Sequence, residues 1–128
     1  MADGHVDQAG AAREAKARER LLGAGASTLP RAPWLHGSQP PSAIDLIRFA
    51  LWRSGAGDAG EDDLLAALTL LPEARAEVDQ TEAALLFTAR AHGLSWSMIS
   101  RALGLGSAQA AQQRFDRVTN RVENRDGA

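Results

Sequence analysis

Between Ser107 and Val122 the chain sets Gln109, Gln112, Gln113, Arg114, Asp116, Arg117, Asn120 and Arg121 among Ala111, Phe115, Val118 and Val122. The four apolar residues follow i, i+4, i+7 and i+11, the spacing of one buried stripe on a helix. The opposite face then carries Gln109, Gln112, Gln113, Asp116, Arg117 and Asn120, with Arg114 and Arg121 on its border beside Arg117. Amide and guanidinium groups are planar and form paired hydrogen bonds, the amide with adenine edges and the guanidinium with guanine or phosphate. A solvated amphipathic helix in an ordinary bundle shows the same broad pattern. The elements that position this helix therefore carry more of the argument than its face alone.

Those elements lie just upstream. Leu85, Leu86 and Phe87 belong to a helix predicted to end at Gly93, and a short helix is predicted over Trp96–Leu103. Gly104-Leu105-Gly106 forms a turn, and Ser107 opens the last helix. Gly93 and Gly104 can take the left-handed conformation that terminates helices. Ser95 and Ser107 are N-cap residues, whose oxygens accept from the free N–H groups of the following turn. Two helices joined by a tight glycine-containing turn predict a helix-turn-helix whose second helix enters the major groove of double-stranded DNA. The expected core of that unit is Trp96, Ile99, Leu103, Leu105, Ala111, Phe115 and Val118. Its expected DNA-binding residues are Ser107, Ala108, Gln109, Gln112, Gln113, Arg114, Arg117 and Arg121. The glutamines would read bases, and the arginines would hold phosphates.

The run from Ala89 to Trp96 (ARAHGLSW), with Ile99, Ala102-Leu103-Gly104-Leu105 and Ser107 to Phe115 (SAQAAQQRF), resembles small actinobacterial helix-turn-helix DNA-binding proteins. Some of these are labelled small-heat-shock-gene transcriptional regulators. The run from Asp62 to Pro72 (DDLLAALTLLP) is similar to the same group. The resemblance covers about half the chain and implies sequence-specific DNA binding, as a transcriptional regulator or small nucleoid-associated protein. It also implies Arg directly after the capping serine, where this chain has Ala108. The competing expectation is a helix-turn-helix-shaped module that binds another regulatory protein, such as a sigma-type factor.

Other chemistry finds little support. His5, His36 and His92 are scattered, and none pairs with another ligand at metal-binding spacing. Ser95, Ser97 and Ser100 have no neighbouring base with an orienting acid. Gly104 to Ser107 lacks the long loop and downstream Lys of a phosphate cradle. Glu61, Asp62 and Asp63 cluster, but without the alternation of a calcium loop; they fit a helix start, where acids face the positive end of the macrodipole. An enzyme is not expected, nor a cofactor or a metal.

The 128-residue length fits one domain with tails, and the absence of cysteine excludes disulfides and thiolate zinc sites and suggests a reducing cytoplasm. Neither a membrane span nor a signal-peptide core is expected, so the predicted location is cytoplasmic, at the nucleoid. Abundant Ala, Leu and Arg favour an all-α fold. From Pro40 to Gln80 three arginines face eight acids, a balance of −5, whereas from Thr81 to Arg125 six face three, a balance of +3. The basic excess falls on the predicted helix-turn-helix, which is modest support for an anionic partner.

Residues 1–40 are predicted to be a flexible N-terminal tail and a Pro-rich linker. Ala11–Leu22 is helix-prone yet short of apolar bulk, so it reads either as solvated tail or as a helix that orders on a protein partner. Trp34-Leu35 reads either as tucked against the domain or as an anchor. The all-α domain is predicted over 41–125, with upstream helices in 41–78 and the helix-turn-helix in 79–125. Ser42 caps a helix to Arg53 with the stripe Ile44, Ile47, Leu51 and Trp52. The next helix presents Leu64, Leu65, Leu68 and Leu71, and Pro72 stops it or starts its successor. Glu73 to Val78 suggests a separate short helical segment, after which Asp79 and Glu82 resemble a capping box. A homodimer is expected through the upstream helices, because one helix-turn-helix reads too few base pairs to stand out in a genome. The alternative use of the Ile44 stripe is packing against Leu64 and Leu68 within one subunit.

Overall fold

The computed structural model describes residues 2–58 and 60–126, with side chains over 8–58 and 60–125. The described residues are all helical apart from turns and connections: α1 (Ala2–Gly23), a short 3-10 turn (Ala26–Thr28), α2 (Ala43–Gly55), α3 (Glu61–Thr69), α4 (Leu71–Ala91), α5 (Trp96–Leu103) and α6 (Ala108–Asp126). They form two compact units, Met1–Arg75 and Ala76–Ala128, and the division falls inside α4.

In the first unit α1, α2 and α3 pack on one another. The helix α2 begins as its sequence dictates, with Ser42 Oγ accepting from the Asp45 amide at 3.1 Å. It buries Ala43, Leu46, Ile47 and Ala50, an i, i+3, i+4, i+7 stripe, with Phe49 beside them. Of the expected stripe only Ile47 is buried; Leu51 and Trp52 are 61% and 69% exposed, and Ile44 lies at the surface. The same correction applies to α3. It buries Asp63, Ala66, Ala67 and Leu70 at the same spacing, and turns Leu65 and Leu68 outward. Both helices present alanines to the core, where small side chains let backbones approach closely. Bulkier apolar residues at similar spacing, Ile44, Leu51 and Trp52 on α2 and Leu65 and Leu68 on α3, are left at the surface, so periodicity alone could not choose between the faces.

Residues 8–16 of α1 are helical and mostly exposed. From Ala17 onward the expectation is corrected. Ala17, Leu21 and Ala26 are buried in the same cluster as α2 and α3, with Leu22, Ala24 and Leu29 against it. A helix marginal in isolation is held here by tertiary contacts. Arg18 Nε donates to Glu73 at 3.0 Å, and Arg20 Nε pairs with Asp63 at 2.9 Å. The acid cluster at the start of α3 thus has a structural use, with Asp62 also 3.7 Å from Arg20.

Pro72 lies in the first turn of α4, where its missing N–H has no intrahelical partner to lose. That helix then runs unbroken through Asp79, so neither a separate 73–78 segment nor a capping box forms. No proline or glycine interrupts residues 73–91, and the carboxylates of Asp79 and Glu82 accept from arginines rather than from helix amides.

Candidate nucleic-acid interface

The second unit is built on Leu86, Ile99, Ala111 and Val118, with Ala83, Ala89, Leu94, Trp96, Leu105 and Phe115 packed around them. The Trp96 and Phe115 rings lie 5.7 Å apart at 49°, an aromatic contact between α5 and α6. The Arg90 guanidinium stacks 4.8 Å from the Trp96 ring. Leu103 is the exception among the expected core residues, at 40% exposure. It is the last residue of α5, and Leu105 packs against the core in its place.

The local chemistry of the turn sets how α5 leads into α6. Ser95 Oγ accepts from the Met98 amide and Ser107 Oγ from the Ala110 amide, each at 3.1 Å. Gly104 takes φ 72°, a left-handed conformation that would strain a side chain. Leu105 N–H returns to the Ser100 carbonyl at 2.8 Å, closing α5 in a Schellman-type end. The two helices pack on each other across this turn.

All eight expected site residues are exposed, but they do not act as one set. Ser107 is occupied as the cap of α6. Gln109, Gln112, Gln113 and Arg117 lie on the outer side of α6, away from the buried Ala111 and Val118. Arg114 and Arg121 lie on the flank toward α4. Arg114 reaches Glu82 at 2.8 Å, while Arg121 and Arg125 share Asp79 at 3.4 and 2.8 Å. The hydrogen bonds that Arg114 donates to Glu82, and then the Glu82 charge, push Arg114 still further into its protonated range. One Glu82 oxygen, Oε2, is buried and has no hydrogen-bond partner. Arg114 and Arg121, expected to hold phosphates, are thus both paired with carboxylates of α4.

Arg117 makes no ion pair with any described residue, and neither does Arg101 on the exposed side of α5. Sequence reasoning missed Arg101, although its place two residues past buried Ile99 on a short helix was a usable signal. It also missed the acids facing the arginine flank. They are 32 to 46 residues away along the chain, and no local pattern announces such pairs.

Elsewhere, His36 and His92 are exposed, and the side chain of His5 lies outside the described residues. Among the described residues no cluster of His, Asp or Glu is arranged to hold a metal, and no helix is long and apolar enough to cross a membrane. In comparisons with known proteins, no family model, curated sequence or solved structure matches the chain.

Proposed function

We propose that α5, the Gly104–Ser107 turn and α6 act as a helix-turn-helix that binds double-stranded DNA with sequence preference, in a transcriptional regulator or small nucleoid-associated protein of the cytoplasm. The observation that carries this is the outer face of α6, where Gln109, Gln113, Arg117 and Asn120 are all exposed. Three amides and a cation free of ion pairs suit the major groove, with exposed Asp116 among them able to accept from cytosine, and the packed core behind them keeps α6 rigid. The resemblance of the Ala89–Phe115 region to small helix-turn-helix proteins points the same way. With Arg114 and Arg121 held by acids, Arg117 and Arg101 become the phosphate contacts.

The test compares variants on a library of duplexes across a salt series. Arg117→Ala should weaken all sequences alike and reduce the salt slope by about one unit. Gln113→Ala should keep the slope and relax preference at one or two base pairs. An unchanged preference in Gln113→Ala would mean that α6 docks differently.

A second reading has its own observation. Val78 and Leu85, i and i+7 on one side of α4, are 62% and 66% exposed, apolar surface suited to a protein such as a sigma-type factor. Absence of duplex binding at low salt would favour it.

A further inference from the structure

A second feature lies in the other unit. A cavity of about 770 Å³ opens between α2 and the chain segment 26–41, within the size range of small-molecule sites. Its floor is Phe49, which is buried, and which approaches Gly25 so closely that a Cβ there would lie 3.3 Å from the ring. Gly25 also has φ 131°, a conformation that favours glycine, and any side chain there would push the ring by a few tenths of an ångström.

The wall opposite α2 is preorganised. Pro30, Pro33, Pro40 and Pro41 stiffen it, and two turns close it, with Leu35 N–H donating to Ala32 and Gln39 N–H to His36. Arg31 ties it together by donating to the Gly37 carbonyl at 2.9 Å.

The lining is aromatic with a charged edge. Trp34 and Trp52, two of the three tryptophans in the chain, border the cavity and are 74% and 69% exposed. Exposed indoles beside an open cavity offer flat surface for stacking. Asp45 and Arg48 line the same space from α2, and neither side chain is paired with a described residue. Three positions apart on one helix, Asp45 and Arg48 have Cβ atoms about 5–6 Å from each other.

We propose that this cavity binds an aromatic amino acid, or a small molecule of the same chemistry: a flat apolar ring with an amine and a carboxylate at one end. The ring stacks on the exposed indoles of Trp34 and Trp52 above buried Phe49; the amine pairs with Asp45, and the carboxylate with Arg48. Asp45 makes the site unsuited to a simple anion, and the aromatic walls make it unsuited to a purely polar zwitterion. The inference does not rest on DNA binding, because all its residues belong to the Met1–Arg75 unit.

Calorimetric titration of the full chain with L-tryptophan, tryptamine, indole-3-acetate and indole separates the contributions. L-Tryptophan should bind tightest, and each compound lacking one charged group should bind about tenfold more weakly. Arg48→Gln should erase the difference between L-tryptophan and tryptamine, and Asp45→Asn that between L-tryptophan and indole-3-acetate. Trp34→Ala should weaken all four compounds while the thermal melt stays unchanged, since that side chain is exposed. The proposal is overturned if none of the four binds, if all bind alike, or if Trp34→Ala leaves affinity intact. It is equally overturned if light scattering shows a dimer that Trp34→Ala dissociates, because a second copy of the chain would then fill the cavity.

Discussion

Glu14 is the residue at which the charge pattern of the first unit works against itself. Partial burial, then the neighbouring Glu73, push its carboxyl above the usual range, and Arg18 and Arg13 offset part of that rise. A carboxyl with a raised pKa in the folded state binds its proton more tightly there than in the unfolded chain. Its favourable contribution is complete below the ordinary glutamate pKa and is lost as pH rises through the raised value. Glu14→Gln removes the ionisation penalty, so urea unfolding should show a gain in stability at pH 7 that disappears near pH 4. An equal gain at both pH values would assign the effect to helix propensity. The arginines of α6 illustrate the opposite case. Arg114, Arg121 and Arg125 each gain a carboxylate partner, but such exposed pairs contribute at most about 1 kcal/mol each. They orient the flank of α6 more than they stabilise it.

At the scale of elements, the question is which side of each helix carries the packing. Leu46 is fully buried in α2, and its replacement by alanine should cost about 3–5 kcal/mol, since it leaves a cavity as well as losing transfer energy. Leu68, 59% exposed on α3, lies on the stripe that periodicity would equally have chosen, and Leu68→Ala should change stability by less than about 1 kcal/mol. Chemical denaturation of the two variants side by side checks the orientation of both helices. Similar losses would mean that the leucine face of α3 is covered. The capped ends of α2, α5 and α6 needed no such choice, because a serine oxygen three residues before an amide acts locally.

At the scale of the whole molecule, assembly follows from the proposed DNA binding. With two of the expected arginines already paired to acids, a single copy has few cations to offer phosphates. A homodimer on a two-fold site doubles them and reaches half-sites about one helical turn apart. Leu51 and Ile44, i and i+7 on α2 and both exposed, give a pairing surface separate from the Trp52 cavity. Light scattering on the full chain should report a dimer, and Leu51→Glu should yield monomers that bind duplex weakly with helicity unchanged by circular dichroism. A monomer at high concentration that also binds DNA as one copy per duplex would rule out the dimer. The full chain is the proper material, because truncation at Ser42 would remove Leu21 and Ala26 from the core.

By itself the sequence determined the all-α class, the serine caps and the bounds of α5. These depend on neighbours within a few residues, where side-chain chemistry acts directly on the backbone. It also determined most of the core of the second unit, because Ile99, Ala111, Phe115 and Val118 have no competing apolar stripe on their helices. Only the tertiary structure decided which face of α2 and α3 is buried, since two stripes of equal period competed there and the choice depended on the helix opposite. The same holds for the packing of α1 from Ala17 onward. Helix propensity and apolar bulk undervalue a helix that binds through alanines, Leu21 and the long-range ion pairs of Arg18 and Arg20. The pairing of Arg114 and Arg121 with Glu82 and Asp79 was likewise hidden, because carboxylates a helix away carry no signature in a local window. What remained free for a ligand on α6 was therefore set by the fold, through the acids that α4 places along its flank.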